Sequence, residues 1–202
     1  MVMIEKPFRP SRVLVRDIAA TTSDIPADAP VGARIAAGNS LSLEQIAKDR
    51  ELGADMAAQL VTAIRGMGLP AERALPNATP QTNEVVISGC FVSVHQDSAA
   101  KRFTIGLDLS ASELLTVVES YQITEQGLGR KLGSSSATND GHESLAGVAD
   151  SSSGLVVIGG MKINGDAGAR TRVEGWARQS VKEIAERFRT KFQEQGWINK
   201  QN

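Results

Sequence analysis

The sequence predicts an α+β (or α/β) fold, in which a mixed, largely antiparallel sheet packs against two long helices. Residues 85–94 carry apolar side chains on both alternating sets, which is typical of a strand covered on both faces. Residues 114–123 alternate between an apolar side and a more polar side, which predicts an antiparallel partner. Residues 42–67 and 170–195 repeat apolar residues at helical spacing. The order strand, helix, several strands, helix therefore predicts a single domain over residues 1–202.

The first third of the chain predicts a strand, a long loop, a helix and a second short strand. Residues 12–18 (RVLVRDI) alternate as a strand, and residues 19–39 form a polar loop in which Pro26 and Pro30 oppose regular structure. A loop of this length is either mobile or used for contact. Ser42 and Gln45 predict a capping box at the start of the helix, and Gly66 and Gly68 its end. Residues 70–75 predict the short strand.

The helix over residues 42–67 is predicted to bury one stripe of side chains. This stripe comprises Leu43, Ile46, Ala57, Leu60, Ile64 and Met67, with Ala54 and Val61 beside it.

The central strand pair follows. In the first strand one face carries Val85, Ile87 and Phe91, and the other carries Val86, Cys90, Val92 and Val94. Gly89 predicts a bulge or a close backbone approach. In the second strand the apolar face carries Leu115, Val117, Tyr121 and Ile123 with one acid, Glu119, and the wetter face carries Leu114, Thr116, Val118, Ser120 and Gln122. Residues 102–107 between them predict a short strand.

The last third predicts a loop, a strand and a helix. Residues 127–150 are rich in glycine and serine and read as an exposed loop, and residues 155–163 (LVVIGGMKI) favour a strand. The closing helix over residues 170–195 should end at Gly196. Its apolar stripe comprises Val173, Ala177, Val181, Ile184, Phe188 and Phe192.

Composition excludes several classes of function. The net charge of −1 argues against a general nucleic-acid binder, because such proteins depend on neutralising phosphates. The single cysteine excludes an internal disulfide, and Cys90 is predicted to be an inert core thiol. No apolar run approaches the ~20 residues of a spanning helix. The opening MVMIEKPFRP has no signal-peptide pattern, so a cytoplasmic location stays open as an alternative.

One glycine-rich segment has a chemical interpretation. In Gly127–Gly133 (GLGRKLG) the glycines would let backbone amides approach a phosphate, and Arg130 and Lys131 would add positive charge. The spacing G-x-G-x-x-x-G is not that of a dinucleotide site, and the Walker pattern is absent. The alternative is a hairpin turn that leads into a solvated loop. Gly127 and Gly129, together with Trp197, are then candidates for contact with a partner.

The remaining polar groups give no catalytic or metal signature, and the sequence predicts no cofactor. His142 lies among acids and serines, but nothing in its spacing implies a triad. His95, at a strand end, is either a ligand or base or simply exposed to water. Glu119 is either an acid in a cleft or a residue where the sheet edge reaches solvent, and the second is commoner. The mixed charges of the closing helix indicate a solvated face, with a basic interaction surface as the alternative.

Two segments resemble a known family. Lys101–Val118 (KRFTIGLDLSASELLTVV) is similar to a core motif of the bacterial DUF4410 family, a domain of unknown function. Ala177–Ile198, ending in GWI, is similar to its final helix, and RVLVRDI is similar to its first strand. The family tends to carry IGFGAG where this chain has Ile105, Gly106, Leu107 and Asp108, so the chain departs from the pattern after the first glycine.

The resemblance implies a role in the bacterial envelope without enzymatic activity. Members are mostly small envelope proteins, commonly with a lipoprotein signal, and their element order is similar to the periplasmic domains of the curli secretion lipoprotein and the Tol N-terminal part. We therefore expect a protein-binding or assembly scaffold at the periplasm or the periplasmic face of the outer membrane. Its partners would be other envelope proteins or further copies of itself, with no nucleic acid, and membrane attachment only through a lipid anchor that this stretch lacks.

Two other functions stay open from the sequence. A small-ligand or nucleotide-binding domain would use Gly127–Gly133, and a hydrolase would be built around His142. The scaffold hypothesis would instead use the loops over residues 20–39 and 127–150.

Overall fold

The structure is a computed structural model that describes residues 8–29, 35–38, 40–98, 100–125, 155–162 and 168–199. It confirms the predicted α+β class, with one mixed sheet and two long helices. The strands are β1 (Arg12–Ala19), β2 (Ala36–Ala37), β3 (Ala71–Arg73), β4 (Glu84–Gln96), β5 (Lys101–Ile105), β6 (Glu113–Gln122) and β7 (Leu155–Lys162). The helices are α1 (Leu43–Gly66) and α2 (Ala169–Glu194), and a 3-10 turn spans Thr22–Asp24.

The sheet is organised around β4. One edge of β4 pairs with β6 along residues 85–94. The other edge pairs with β1 over residues 84–90 and with β5 over residues 92–96, so β1 and β5 lie end to end beside it. The outer strands are β3 beside β1, β2 beside β5, and β7 beside β6.

The prediction that the sheet is largely antiparallel was wrong. β1 runs parallel to both β3 and β4, and β2 runs parallel to β5, while the other three pairings are antiparallel. The reason is that α1 carries the chain back from the end of β1 to the start of β3. Such a crossover makes consecutive strands parallel, whereas a hairpin makes them antiparallel.

Both helices pack on one face of the sheet. Side chains on that face include Val13, Val15, Val85, Ile87, Phe91, Leu114 and Val118, and they form one core with the stripes of α1 and α2. The whole predicted α2 stripe is buried, but Leu43 at the start of α1 is 86% exposed. The face of β6 predicted to be wetter is also buried: Leu114 and Val118 on it belong to this core, and Thr116, Ser120 and Gln122 are nearly inaccessible to water.

The two helices end in the same way. Gly68 and Gly196 adopt positive φ angles of 88° and 76° just after α1 and α2. The amide of Trp197 donates to the carbonyl of Phe192 and that of Gly196 to Gln193, which is a Schellman ending. Trp197 then packs on Phe192 with ring centroids 5.5 Å apart. Gly68 and Gly196, which the sequence placed at helix ends, therefore serve that purpose, whereas Gly66 is the last residue of α1.

Among the described residues, the chain after β1 covers part of the second face of the sheet. Ile25 and Ile35 pack against a cluster that includes Cys90, Val92 and Leu115. Two residues of the predicted polar loop over residues 19–39 are therefore packed against the sheet. Neither helix in the described part of the chain combines the length and apolar character that crossing a membrane requires.

Two glycines allow the layers to approach closely. A Cβ on Gly53 of α1 would lie 2.1 Å from the carbonyl oxygen of Ile18 on β1. A Cβ on Gly89 of β4 would lie 2.7 Å from the carbonyl oxygen of Val117, which confirms the predicted close approach there. Both obstacles are backbone atoms, which cannot move without shifting a whole strand.

Replacing Gly53 with Ala is expected to lower the free energy of unfolding by about 1–3 kcal/mol, because α1 must move off β1 to relieve the overlap. The matched control is Gly175→Ala on α2, where a Cβ meets no atom within 4 Å. That exchange should raise stability by up to about 1 kcal/mol through helix propensity alone. Urea unfolding of both variants measures the difference, and equal effects would contradict the close α1–β1 contact.

Candidate functional site

A cleft opens where the parallel strands β1 and β3 end. It has a volume of about 460 Å³ and is lined by Arg16–Ala19 of β1, Ser23–Pro26 of the following turn, Arg50 of α1 and Ala74–Pro76 after β3. Clefts outside the carboxyl ends of parallel strands are the usual ligand sites of sheets with such strands. The volume is within the range of pockets that hold small molecules or peptide side chains. We refer to it as the β1-end cleft.

A bulge in β1 shapes one wall of this cleft. Val15 pairs with Ile87 and Ile18 with Gly89, so β1 has one more residue than β4 in this interval. The extra residue falls at Arg16–Asp17. Bulges of this kind redirect side chains and are common beside functional sites. Here the bulge places two opposite charges at the end of an otherwise apolar strand.

Arg–Asp ion pairs hold the walls together. The Arg50 guanidinium donates from Nε to Oδ1 of Asp24 at 2.9 Å, and its Nη2 lies 2.8 Å from the same oxygen. Arg16 donates from Nη1 and Nη2 to the two oxygens of Asp28 at 2.9 and 3.1 Å.

The third pair lies on β3, where Arg73 donates from Nη2 to Asp17 at 2.7 Å. Within the lining itself two arginines and two aspartates balance to no net charge.

The aspartate at the 3-10 turn is ionised at neutral pH. Burial alone raises the pKa of Asp24, but hydrogen bonds from Arg50 and Thr21 outweigh it and leave the pKa below its ordinary value of 3.8. The Thr21 amide and hydroxyl both donate to the Asp24 carboxylate, at 3.0 and 2.8 Å. The cleft therefore presents fixed charges of both signs.

The apolar residues that line the cleft differ in their exposure to solvent. Ile18 and Ala19 are buried, but Leu75 at the rim is 76% exposed. Pro26 and Pro76 stand on the two loops that border the cleft. Because proline fixes its own φ angle, these borders lose little conformational entropy when something binds.

A buried polar cluster extends from Arg16 across the second face of the sheet. Arg16 also donates to the Tyr121 hydroxyl at 3.1 Å. Glu119 lies opposite Ser88 in the β4–β6 ladder and is only 5% exposed, so it is in the sheet interior and not at an edge that reaches solvent. Burial raises the pKa of Tyr121 and keeps its phenol protonated. Burial also acts to lower the pKa of Arg16, but Asp28, Tyr121 and Glu119 together outweigh it and the pKa is raised.

Another ion pair, with one fully buried partner, joins the helices beside Arg50. Asp49 of α1 is fully buried and accepts from Arg170 of α2 and, at 2.9 Å, from Gln45. Its Oδ2 has no partner within the described residues. Burial raises the pKa of Asp49 in spite of Arg170. The pair fixes the relative position of α1 and α2 next to the cleft.

The ligand-site and catalytic candidates predicted from the sequence cannot be compared with the cleft. Gly127, Gly129, Arg130, Lys131 and His142 all lie outside the described residues.

Two other predicted residues are described. Trp197 is 3% exposed and belongs to the core of α2, so its ring does not form a contact surface. His95 is mostly buried, lying 3.3 Å from the Thr104 hydroxyl and 3.7 Å from Asp108, so it is not the water-exposed histidine of a strand end.

The groups around the cleft can bind but are poor reactants. Its ionisable residues are arginines and aspartates held in pairs, and its one hydroxyl, Ser23, contacts the Thr21 hydroxyl at 2.8 Å. A nucleophile needs an adjacent base to activate it. In the part of the chain that is described, no three metal-ligating side chains come together.

The family model for a domain of unknown function (DUF4410) matches residues 13–157. The chain belongs to this family. The DUF4410 match includes every residue that lines the β1-end cleft and the segment Lys101–Val118, and it ends before α2. The predicted resemblance of Ala177–Ile198 therefore lies outside the matched region. No curated protein and no solved structure gives a significant match.

Sequence reasoning missed the residues that form the cleft. Arg16, Asp24, Arg50 and Leu75 are spread over 60 positions and meet only through the parallel pairing of β1 with β3. One signal was available. Arg16 and Asp17 are charged residues inside the apolar strand RVLVRDI, and charges at the end of a buried strand favour a site.

The Asp49→Asn variant is expected to change how stability depends on pH. Well below its ordinary pKa of 3.8, Asp49 is protonated in both the native and the unfolded state. As pH rises above its ordinary pKa of 3.8, the unfolded chain ionises first, so the native state loses stability until its own, higher pKa is passed. The difference in unfolding free energy between wild type and variant should thus shift against the wild type from pH 4 upward. Urea titrations at pH 3.5 to 7 measure it, and parallel curves would contradict the raised pKa.

The Cys90 thiol is expected to be unreactive in the native protein. Burial, with a smaller effect of Glu119, raises its pKa to about 12, so no thiolate forms at pH 8. A chromogenic disulfide reagent at pH 8 should label the protein only after guanidinium is added. Rapid labelling of the folded chain would contradict the burial of β4 on its second face.

Proposed function

We propose that this DUF4410 chain is a non-enzymatic domain that binds other protein chains in a bacterial envelope assembly. The observation that carries the proposal is the β1-end cleft, a preformed site that offers apolar surface and paired charges but no activated reacting group. Such a lining supports recognition and does not support bond-breaking chemistry.

The edges of the described sheet are poorly suited to binding, which also favours the cleft. Proteins that bind by adding a strand need a long, regular edge. Among the described strands, the outer ones β2 and β3 have two and three residues. The eight-residue β7 has a bulge against β6, because Leu114 pairs with Met161 while Thr116 pairs with Ile158. Short and bulged edges oppose strand addition, which favours binding at the cleft.

The charge balance of the cleft favours a protein over a phosphorylated ligand. Phosphate sites present unneutralised arginines, lysines or backbone amides. Arg16 and Arg50 already hold carboxylates, and a phosphate would also meet the ionised Asp24. A nucleotide site at Gly127–Gly133 concerns residues outside the described part of the chain, and no described contact favours it.

The proposed cellular location does not rest on the cleft. It is the periplasm, or the periplasmic face of the outer membrane, and it rests on the resemblance to envelope proteins alone. The partners would be other envelope proteins or further copies of the chain.

Cross-linking and affinity capture test the proposal. A tagged chain should recover discrete partner proteins, or itself as an oligomer, from envelope extracts and not from cytoplasmic extracts of the same cells. Light scattering after size exclusion gives the stoichiometry of the purified chain. A strict monomer that captures nothing from the envelope, or that captures its partners from the cytoplasm, would contradict the proposal.

A further inference from the structure

We propose that the β1-end cleft binds an extended, uncharged peptide segment of a partner protein, with one apolar side chain packed against Leu75. This inference rests on the proposed function and specifies which part of the partner is recognised. It is carried by three features of the cleft: its exposed apolar rim, its balanced hydrogen-bonding groups and its rigid walls.

The rim supplies the apolar contact. Leu75 is 76% exposed, although it follows β3 directly and borders a cleft whose floor, Ile18 and Ala19, is buried. Ile25 and Pro26 lie on the other loop that borders the cleft. An apolar side chain placed between these two borders would remove surface of both partners from water. A charged side chain in the same position would lose its hydration for no equivalent gain.

The paired charges match a peptide backbone. An extended backbone carries donors and acceptors in alternation and has no net charge. The cleft offers both kinds of group with equal numbers of positive and negative residues. Arg50 uses Nε and Nη2 on Asp24, so its Nη1 remains available as a donor among the described contacts. Each carboxylate oxygen of Asp17 accepts a single hydrogen bond from Arg73 and the Asp17 side chain is 44% exposed, so it can also accept from a backbone amide.

The walls are set before binding. The turn at Thr22–Asp24 is closed by bonds from the Thr21 amide and hydroxyl to Asp24. The turn is tied to α1 through Arg50, and the segment that follows the turn is tied to β1 through Asp28 and Arg16. A site whose side chains are already fixed loses less entropy on binding, which favours measurable affinity for a short segment.

The test uses the full chain and three synthetic libraries of eight-residue peptides. One library is uncharged with a central Leu, Ile, Val or Phe, and the other two carry Asp or Lys at that centre. We expect binding of the uncharged library, with little dependence of the dissociation constant on salt, since no net charge is neutralised. Fluorescence polarisation at 50 and 500 mM salt measures it. Inorganic phosphate should not compete.

Two variants locate the site. Leu75→Asp should weaken binding of the uncharged peptides by about 10-fold or more, the value of one buried leucine-sized contact. Phe8→Asp is the matched control. Phe8 is 77% exposed and its carbonyl accepts from Gln122, near the opposite end of β1. The Phe8→Asp variant should bind the uncharged peptides as tightly as the wild type does. Leu75→Met should keep most of the affinity, and circular dichroism verifies that each variant folds.

Several outcomes would overturn the inference. These are preferential binding of a charged library, competition by inorganic phosphate, a steep salt dependence, an equal effect of Leu75→Asp and Phe8→Asp, and no binding of any library at ~1 mM. If envelope partners are still captured in any of these cases, the peptide inference fails while the proposed function stands. If no partner is captured, the proposed function fails on its own test.

Discussion

The structure depends on the removal of β4 from water on every side. Its residues 84–94 are buried on both faces, and both of its edges are hydrogen-bonded. A strand with apolar residues on both faces needs two covering layers. The helices supply one layer, through stripes of aliphatic and phenylalanine side chains, and the chain after β1 contributes to the other. The other described elements either pair with β4 directly or lie against a strand that does.

The candidate site follows from the way β4 is paired. Because β1 and β5 share one edge of β4, β1 must stop about halfway along it and the chain must leave the sheet there. The bulge at Arg16–Asp17 and the turn at Thr22–Asp24 lie at this exit. Leu75 approaches the same point because β3 runs parallel to β1 and ends beside it. The cleft thus results from the way β1 stops partway along β4 and the chain leaves the sheet there, and not from a separate loop structure.

The sequence predicted the elements well and their arrangement less well. Periodicity located α1, α2 and β4, because burial repeats over many residues of one element. It missed that the more polar face of β6 is buried as well, since Thr116, Ser120 and Gln122 are polar but nearly inaccessible, and no local pattern distinguishes a polar residue in water from a buried one. It also missed that β1 has parallel neighbours. The ion pairs Arg50–Asp24 and Arg73–Asp17 join residues that are 26 and 56 positions apart in the sequence. Such contacts depend on topology, which periodicity does not encode.

The ion pairs around the cleft contribute more to shape than to stability. Arg50 and Asp24 have side chains 53% and 23% exposed, and Arg73 and Asp17 are 48% and 44% exposed. Pairs this accessible are screened by solvent and typically contribute between 0 and about 1 kcal/mol. Their forked geometry nevertheless fixes the direction of each guanidinium and carboxylate. A fold already secured by β4 does not need them, whereas a binding wall needs its donors and acceptors held in place.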